Sequence, residues 1–223
     1  MKLVIFDCDG TLVDSQHMIS EAMRVAFSAN GMAVPARAHL VRNVGLSVPQ
    51  AMMAMTGLGE CDAVEKLSTD YRAAFTDLRK TAQLAEPMYP GARDAIRALA
   101  SRDGVLLGIA TGKSRRGVDR FLEREGLEGV FATIMTADDA PSKPHPAMIE
   151  QAMDAVGAQA DATVMIGDTT FDMLMARAAC VAAIGVGWGY HEAAELIEAG
   201  ASVVVEDFDA LLARLLADRA VAA

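Results

Sequence analysis

Cysteine, surplus positive charge and long apolar runs are all scarce in this chain, and each scarcity removes a class of protein. The three cysteines, Cys8, Cys61 and Cys180, stand far apart with no CxxC spacing. That argues against a disulfide framework or a cysteine zinc site and suits a reducing cytoplasm. Lys and Arg number 20 against 30 Asp and Glu, a formal net charge of −10. Nucleic acid needs concentrated cations, so it is disfavoured as a partner. Hydrophobic residues make up 52% of the 223, yet no uninterrupted run reaches the length of a membrane span. The opening MKLVIFD meets acidic residues too early for a secretory signal. The expectation is a cytoplasmic protein, monomer or homodimer, with no membrane or nucleic-acid partner. An anionic substrate would have to be held by local cations and backbone amides.

What is present has two textures. From Gly91 onward, short apolar runs alternate with segments of helical composition. The runs are VLLGIA (105–110), VFATIM (130–135), TVMIGD (163–168), VAAIGV (181–186) and ASVVVE (201–206). Helices are expected over 114–125, 146–156 and 171–179. With KLVIF (2–6) as a buried first strand, this pattern predicts an α/β fold, a doubly wound parallel sheet of Rossmann-like type. Between Ser15 and Tyr89 the chain is instead rich in Ala, Met, Glu and Arg, with turns at NGMAVP and TGLGE. An all-helical cap inserted over 15–87 is expected, with the catalytic core made of 1–14 and 88–223. The AVAA tail is expected to fray. No internal repeat is evident.

Four chemically loaded stretches fall at predicted strand ends or just beyond, where ligands of parallel sheets collect. The first is Asp7-Cys8-Asp9-Gly10-Thr11, with Asp7 and Asp9 pointing the same way along extended chain. The others are Thr111-Gly112-Lys113, Ser142-Lys143-Pro144 and Gly167-Asp168-Thr169-Thr170-Phe171-Asp172. Each alone reads as a turn, a cap or a surface charge. Together they supply a carboxylate cluster and a set of oxyanion donors. Like charges this close repel unless a cation or a shared proton relieves them, and Mg²⁺ favours a few carboxylates plus substrate phosphate oxygens. The inventory calls for a metal and a phosphoryl group. Cys8 should face away into the core, and the methionines, Met52, Met53 and Met55 among them, should pack helices.

In this order the motifs DCDGTLVDS, the Thr111 strand end, SKPHP and GDTTFD resemble the haloacid dehalogenase superfamily, in particular phosphatases with a helical cap between the first two motifs. The resemblance covers essentially the whole chain. It implies Asp7 as nucleophile and Asp9 as general acid and base. Thr111 and Lys143 would hold phosphoryl oxygens, with Gly10 and Gly112 beside them. Asp168 would bind Mg²⁺ with Asp7 and the backbone carbonyl of Asp9, and Asp172 would support that metal site from behind.

Asp9 points to phosphate esters, since the superfamily's dehalogenases and phosphonate-cleaving members lack an acid there. Sugar phosphomutases share the acids and are the rival. They carry a basic residue after the cap's G-x-S turn, where this chain has Val48, and a histidine where it has Ile19; His17 falls earlier. Both differences favour hydrolysis of a small phosphorylated metabolite. The segment GVGWGYHEAAELIEAGA most resembles phosphoglycolate phosphatases. A catalytically silent binding protein is the alternative of another class, although no acid or lysine is missing. Substrate selection is expected from the cap, through Gly45 and Ser47 of the turn Val44-Gly45-Leu46-Ser47, with Arg42 and His17 adding contacts.

Overall fold

The computed structural model of the chain describes residues 1–80 and 86–217. The AVAA tail, and residues 81–85 of the expected cap, lie outside the described residues. Among the described residues six parallel strands form one sheet: β1 (Lys2–Phe6), β2 (Val105–Ala110), β3 (Thr133–Met135), β4 (Thr163–Gly167), β5 (Ala182–Val186) and β6 (Val204–Val205). Their order is β3-β2-β1-β4-β5-β6. The chain winds outward from β1 through β2 to β3, then restarts on β1's other side with β4. That reversal opens a crevice beyond the carboxyl ends of β1 and β4, where such sheets bind ligands.

Alternation along β1 sets the two layers. Val4 and Phe6 enter one apolar cluster with α5 (Ala92–Ala100), α6 (Arg115–Glu125) and α10 (Phe208–Ala217). Leu3 and Ile5 enter the other, with α7 (Ala147–Val156), α8 (Thr170–Ala178) and α9 (Ala193–Ala199). A strand buried on both faces needs apolar side chains at every position, which KLVIF supplies after its first residue. Cys8 is buried in the first cluster, as expected.

Both outer strands are shorter than the sequence suggests. VFATIM contributes only its last three residues, paired to Gly108–Ala110, and ASVVVE only Val204 and Val205. These are edge strands with one neighbour each, so the ladder extends only as far as that neighbour's register allows.

Between β1 and α5 lie α1 (Gln16–Ala29), α2 (Arg37–Val41), α3 (Val48–Thr56) and α4 (Asp62–Lys80). They bury a core of their own, in which Met23, Phe27, Leu40, Met52, Leu67 and Tyr71 meet. Met52 is fully buried there, a packing residue as read from the sequence. Turns at Gly31 and Gly57 use the left-handed backbone, in agreement with NGMAVP and TGLGE. The helical unit and the sheet's carboxyl edge face each other.

Candidate active site

Asp7 leaves β1, Thr111 leaves β2 and Asp168 leaves β4, so three neighbouring strands deliver them to one place. Lys143 comes from the connection after β3 and Asp172 from the first turn of α8. All five are essentially solvent-free. Carboxylate oxygens of Asp7, Asp168 and Asp172 lie within 4.8 Å of one another. The four stretches singled out in the sequence converge.

Among the described residues one cation stands inside this cluster. Lys143 Nζ donates to Asp172 Oδ1 at 2.6 Å and makes an ion pair with Asp7 Oδ1 at 2.8 Å. A buried ammonium is tolerated because two carboxylates surround it, and they hold its pKa above the usual lysine value against the effect of burial. Asp172 is committed elsewhere too. Its Oδ2 accepts from the Thr169 amide at 3.1 Å and the Thr169 hydroxyl at 2.7 Å, closing a capping box on α8. With three donors on it, Asp172 positions Lys143 and has little capacity left for another ligand.

Asp168 is oriented with equal care. Thr11 Oγ1 donates to its Oδ1 at 2.8 Å and the Tyr190 amide to its Oδ2 at 3.0 Å. Asp7 differs: beyond the Lys143 ion pair, neither of its buried oxygens has an aligned hydrogen bond among the described residues. Burial foremost, then the Asp172 charge, push its pKa up to about 7 although Lys143 pulls the other way. Burial and the charges of Asp7 and Asp172 push Asp168 up as well. Buried carboxylates that oppose one another, with the oxygens of Asp7 short of donors, suit a divalent cation. The donor set fits Mg²⁺ through Asp7 and Asp168.

Asp9 belongs to a separate polar group. Ser15 Oγ donates to its Oδ1 at 2.5 Å and Lys113 Nζ to the same oxygen at 2.8 Å. Burial would raise its pKa, but the Lys113 charge and these hydrogen bonds hold it below the ordinary carboxylate value. Glu86, 3.7 Å from Lys113 and bound by Arg79 through two nitrogens, extends the group toward the cap. The sequence reading gave no role to Lys113, Ser15 or Glu86. Their partners are distant in sequence or face them only once the cap is folded. The one available signal was that Lys113 follows Thr111 by two residues at the same strand end.

Two glycines act by having no side chain. The backbone of Gly10 has φ +90°, and a Cβ on it would stand 2.2 Å from Asp168 Oδ2. Its amide donates to Val13 O, so Gly10 makes room for Asp168 and offers no free donor. A Cβ on Gly112 would stand 2.5 Å from the carbonyl oxygens of both Gly45 and Leu46. The cap turn therefore rests directly on the Gly112 backbone.

A cavity of about 240 Å³ lies between cap and core, bounded on the core side by Asp9, Thr111, Gly112 and Lys113 and on the cap side by residues that include Gly45. Three of the expected cap contacts are placed otherwise. Arg42 is turned outward in an exposed pair with Glu195 at 2.7 Å, and His17 is exposed at the start of α1. Ser47 precedes α3, its amide donating to Ser142 Oγ at 2.8 Å. None of the three lines the cavity. Arg42 and Ser47 instead tie the cap to the core, helped by His191, whose Nε2 lies 3.1 Å from the Arg42 carbonyl oxygen. His191 Nδ1 accepts from the Thr170 amide, so Nε2 carries the proton and donates.

A parallel α/β core whose strand ends gather three aspartates and a buried lysine under a helical cap is the architecture of a phosphoryl-handling hydrolase. Residues 4–186 match the haloacid dehalogenase-like hydrolase family, and the chain belongs to it. A curated relative from Dickeya dadantii, named "Probable phosphatase IndB", is 37% identical over 92% of this chain and 90% of its own length. A phosphoglycolate phosphatase from Rhodospirillum rubrum is 33% identical over 94% of this chain and 89% of its own. Among solved structures, a hydrolase from Pseudomonas syringae superposes with a TM-score of 0.85 at 29% identity, covering 97% of this chain and 99% of that one. Among the described residues no helix is long and apolar enough to cross a membrane.

Proposed function

We propose that the protein is a Mg²⁺-dependent phosphatase that hydrolyses a small organic phosphomonoester through a phosphorylated Asp7. The observation that carries this reading is the division of labour between two acids on one strand end. Asp7, beside Lys143 and Asp168, has oxygens to spare, whereas Asp9 is held apart by Ser15 and Lys113. One is equipped as nucleophile and the other as proton carrier.

An Asp7 oxygen attacks phosphorus and the bond from phosphorus to the ester oxygen breaks. The leaving oxygen takes its proton from Asp9, which must acquire one first because Lys113 keeps it ionised in the resting site. Asp9 then removes a proton from a water whose oxygen attacks phosphorus. The bond from phosphorus to Asp7 breaks, its electrons return to the carboxylate, and phosphate leaves. Lys143 lies against Asp7 and would neutralise charge on the phosphoryl oxygens, with Thr111 and the Gly112 amide as further donors. Asp7 and Asp168 would hold Mg²⁺, which screens nucleophile from phosphate when bound. Asp7 is fully buried, so substrate reaches it only when the cap lifts from its seat on Gly112.

The phosphoglycolate phosphatase among the relatives supports a small phosphorylated metabolite as substrate. The mutase alternative needs polar cap groups to retain the sugar intermediate. Val48 and Ile19 stand where those groups would be, both on the apolar wall of the cavity. The deciding assay follows release of inorganic phosphate from an aryl phosphate, with and without Mg²⁺. Rapid metal-dependent release supports the reading. Isomer formation from a sugar 1-phosphate outpacing phosphate release supports the mutase, and inactivity in both assays supports the silent binding protein.

A further inference from the structure

The cavity between cap and core does not resemble a container for a two-carbon acid. Its cap wall is mostly apolar, with Met23, Leu40, Val44, Val48, Tyr71 and Phe75 beside the polar Asn43, Arg72, Thr76 and Arg79. Tyr71 and Phe75 lie one helical turn apart on α4 with ring centroids 5.8 Å apart. The volume, about 240 Å³, exceeds the roughly 150 Å³ of an apolar protein cavity that takes up a benzene ring. A glycolyl group would leave much of that apolar wall facing water, which gains nothing from the hydrophobic effect. A ring-sized apolar body would cover it.

A second observation is independent of the first. Arg72 from α4, with Arg116 and Arg120 from α6, also line this cavity. Arg116 and Arg120 are four residues apart on one helix, a spacing at which like charges repel. Among the described residues none of the three has an ion-pair partner, whereas Arg79 is taken by Glu86 and Lys113 by Asp9. In a chain with net charge −10, three unpartnered arginines round one cavity are an accumulation that asks for an anion. The phosphoryl group does not answer it, since Lys143 and the strand-end donors already serve that group.

We propose that the preferred substrate is a phosphomonoester whose leaving group has a ring-sized apolar body and a second negative charge. The body lies against Tyr71, Phe75 and the aliphatic wall, and the charge is met by Arg72, Arg116 and Arg120. The proposal rests on the phosphatase reading and narrows it. The guanidinium groups suit a planar carboxylate or a second phosphate, both of which they bind through paired N–H donors.

The test compares 4-carboxyphenyl phosphate, phenyl phosphate and phosphoglycolate in two assays. One is Mg²⁺-dependent hydrolysis by the intact protein. The other is calorimetric binding to Asp7→Asn, which lacks the nucleophile. The carboxylated aryl ester should lead phosphoglycolate in both assays by about tenfold or more, the scale on which pockets separate substrates that differ by a methylene or more. Arg116→Glu with Arg120→Glu, both at exposed helix positions, should shrink the ratio of carboxyphenyl to phenyl ester about tenfold. Phe75→Ala should lower both aryl esters relative to phosphoglycolate. Phosphoglycolate ahead of both aryl esters, or a carboxyphenyl-to-phenyl ratio unmoved by the arginine changes, overturns the proposal and leaves the phosphatase reading intact. The expected binding order with no hydrolysis of any ester upholds the substrate class and removes the phosphatase reading. Neither binding nor hydrolysis removes both.

Discussion

Lys113 Nζ donates to Asp9 Oδ1 at 2.8 Å, joining the ends of β2 and β1 across the floor of the cleft. The pair does two things to the acid. It fixes one oxygen, and it keeps the carboxylate ionised despite burial. The base that the proposed water-attack step calls for is thereby available throughout the neutral range.

Removing that cation should show in the pH profile. Asp9 has its pKa depressed by Lys113, so its base form persists well below neutrality in the native protein. In Lys113→Met the burial effect is no longer opposed by the lysine and the pKa rises. The acidic limb of kcat should move to higher pH, and kcat at pH 7 should fall about tenfold or more. An unmoved limb with reduced kcat would show that Lys113 only shapes the cleft.

The metal-free protein should be less stable at higher pH. The folded-state pKa of Asp7 is raised to about 7 by burial, and that of Asp168 is raised as well. The folded state therefore keeps protons that the unfolded chain loses above about pH 4, and stability falls as pH climbs from there toward 7. Mg²⁺ should reverse this, binding better once the carboxylates are ionised. At a hundred times its Kd the expected gain in Tm at pH 8 is about 5–10 °C, and less at pH 5. A Tm independent of Mg²⁺ at pH 8 would remove the metal site.

Gly112→Ala probes the seat of the cap. The new Cβ would press on two backbone carbonyls, which cannot swing aside as a side chain does. Far-UV circular dichroism should be unchanged while kcat/KM falls on the order of a hundredfold, since a displacement of an ångström suffices for that. Activity within twofold of the native protein would mean that closure does not use this contact.

Arg42→Ala, in contrast, should change KM for any ester by less than about twofold, because an exposed ion pair contributes little and Arg42 does not line the cavity. A large rise in KM for anionic substrates alone would restore Arg42 as a recognition residue.

Much of the core site was legible because its chemistry sits on strand ends, where a few consecutive residues fix both position and direction. Asp7, Thr111 and Asp168 follow apolar runs that could only be buried strands, and the sheet order brings them together. The cap was legible as helices and not as a binding surface. Which side of a short helix meets the core depends on packing between units, so Arg42 and His17 were expected inward and lie outward. Lys113 and Ser15 went unread because their partner is an oxygen whose orientation only the folded strand ends define. The edge strands were overestimated because apolar content does not report how many neighbours a strand has.

The central claim is that phosphate passes through Asp7, and it can be caught there. Protein quenched in acid during turnover of an aryl phosphate with Mg²⁺, then treated with hydroxylamine, should carry a hydroxamate on Asp7 in its N-terminal peptide by mass spectrometry. Asp7→Asn, folded but inactive, should carry none. Rapid turnover with Asp7 unmodified, together with an active Asp7→Asn protein, would contradict the account.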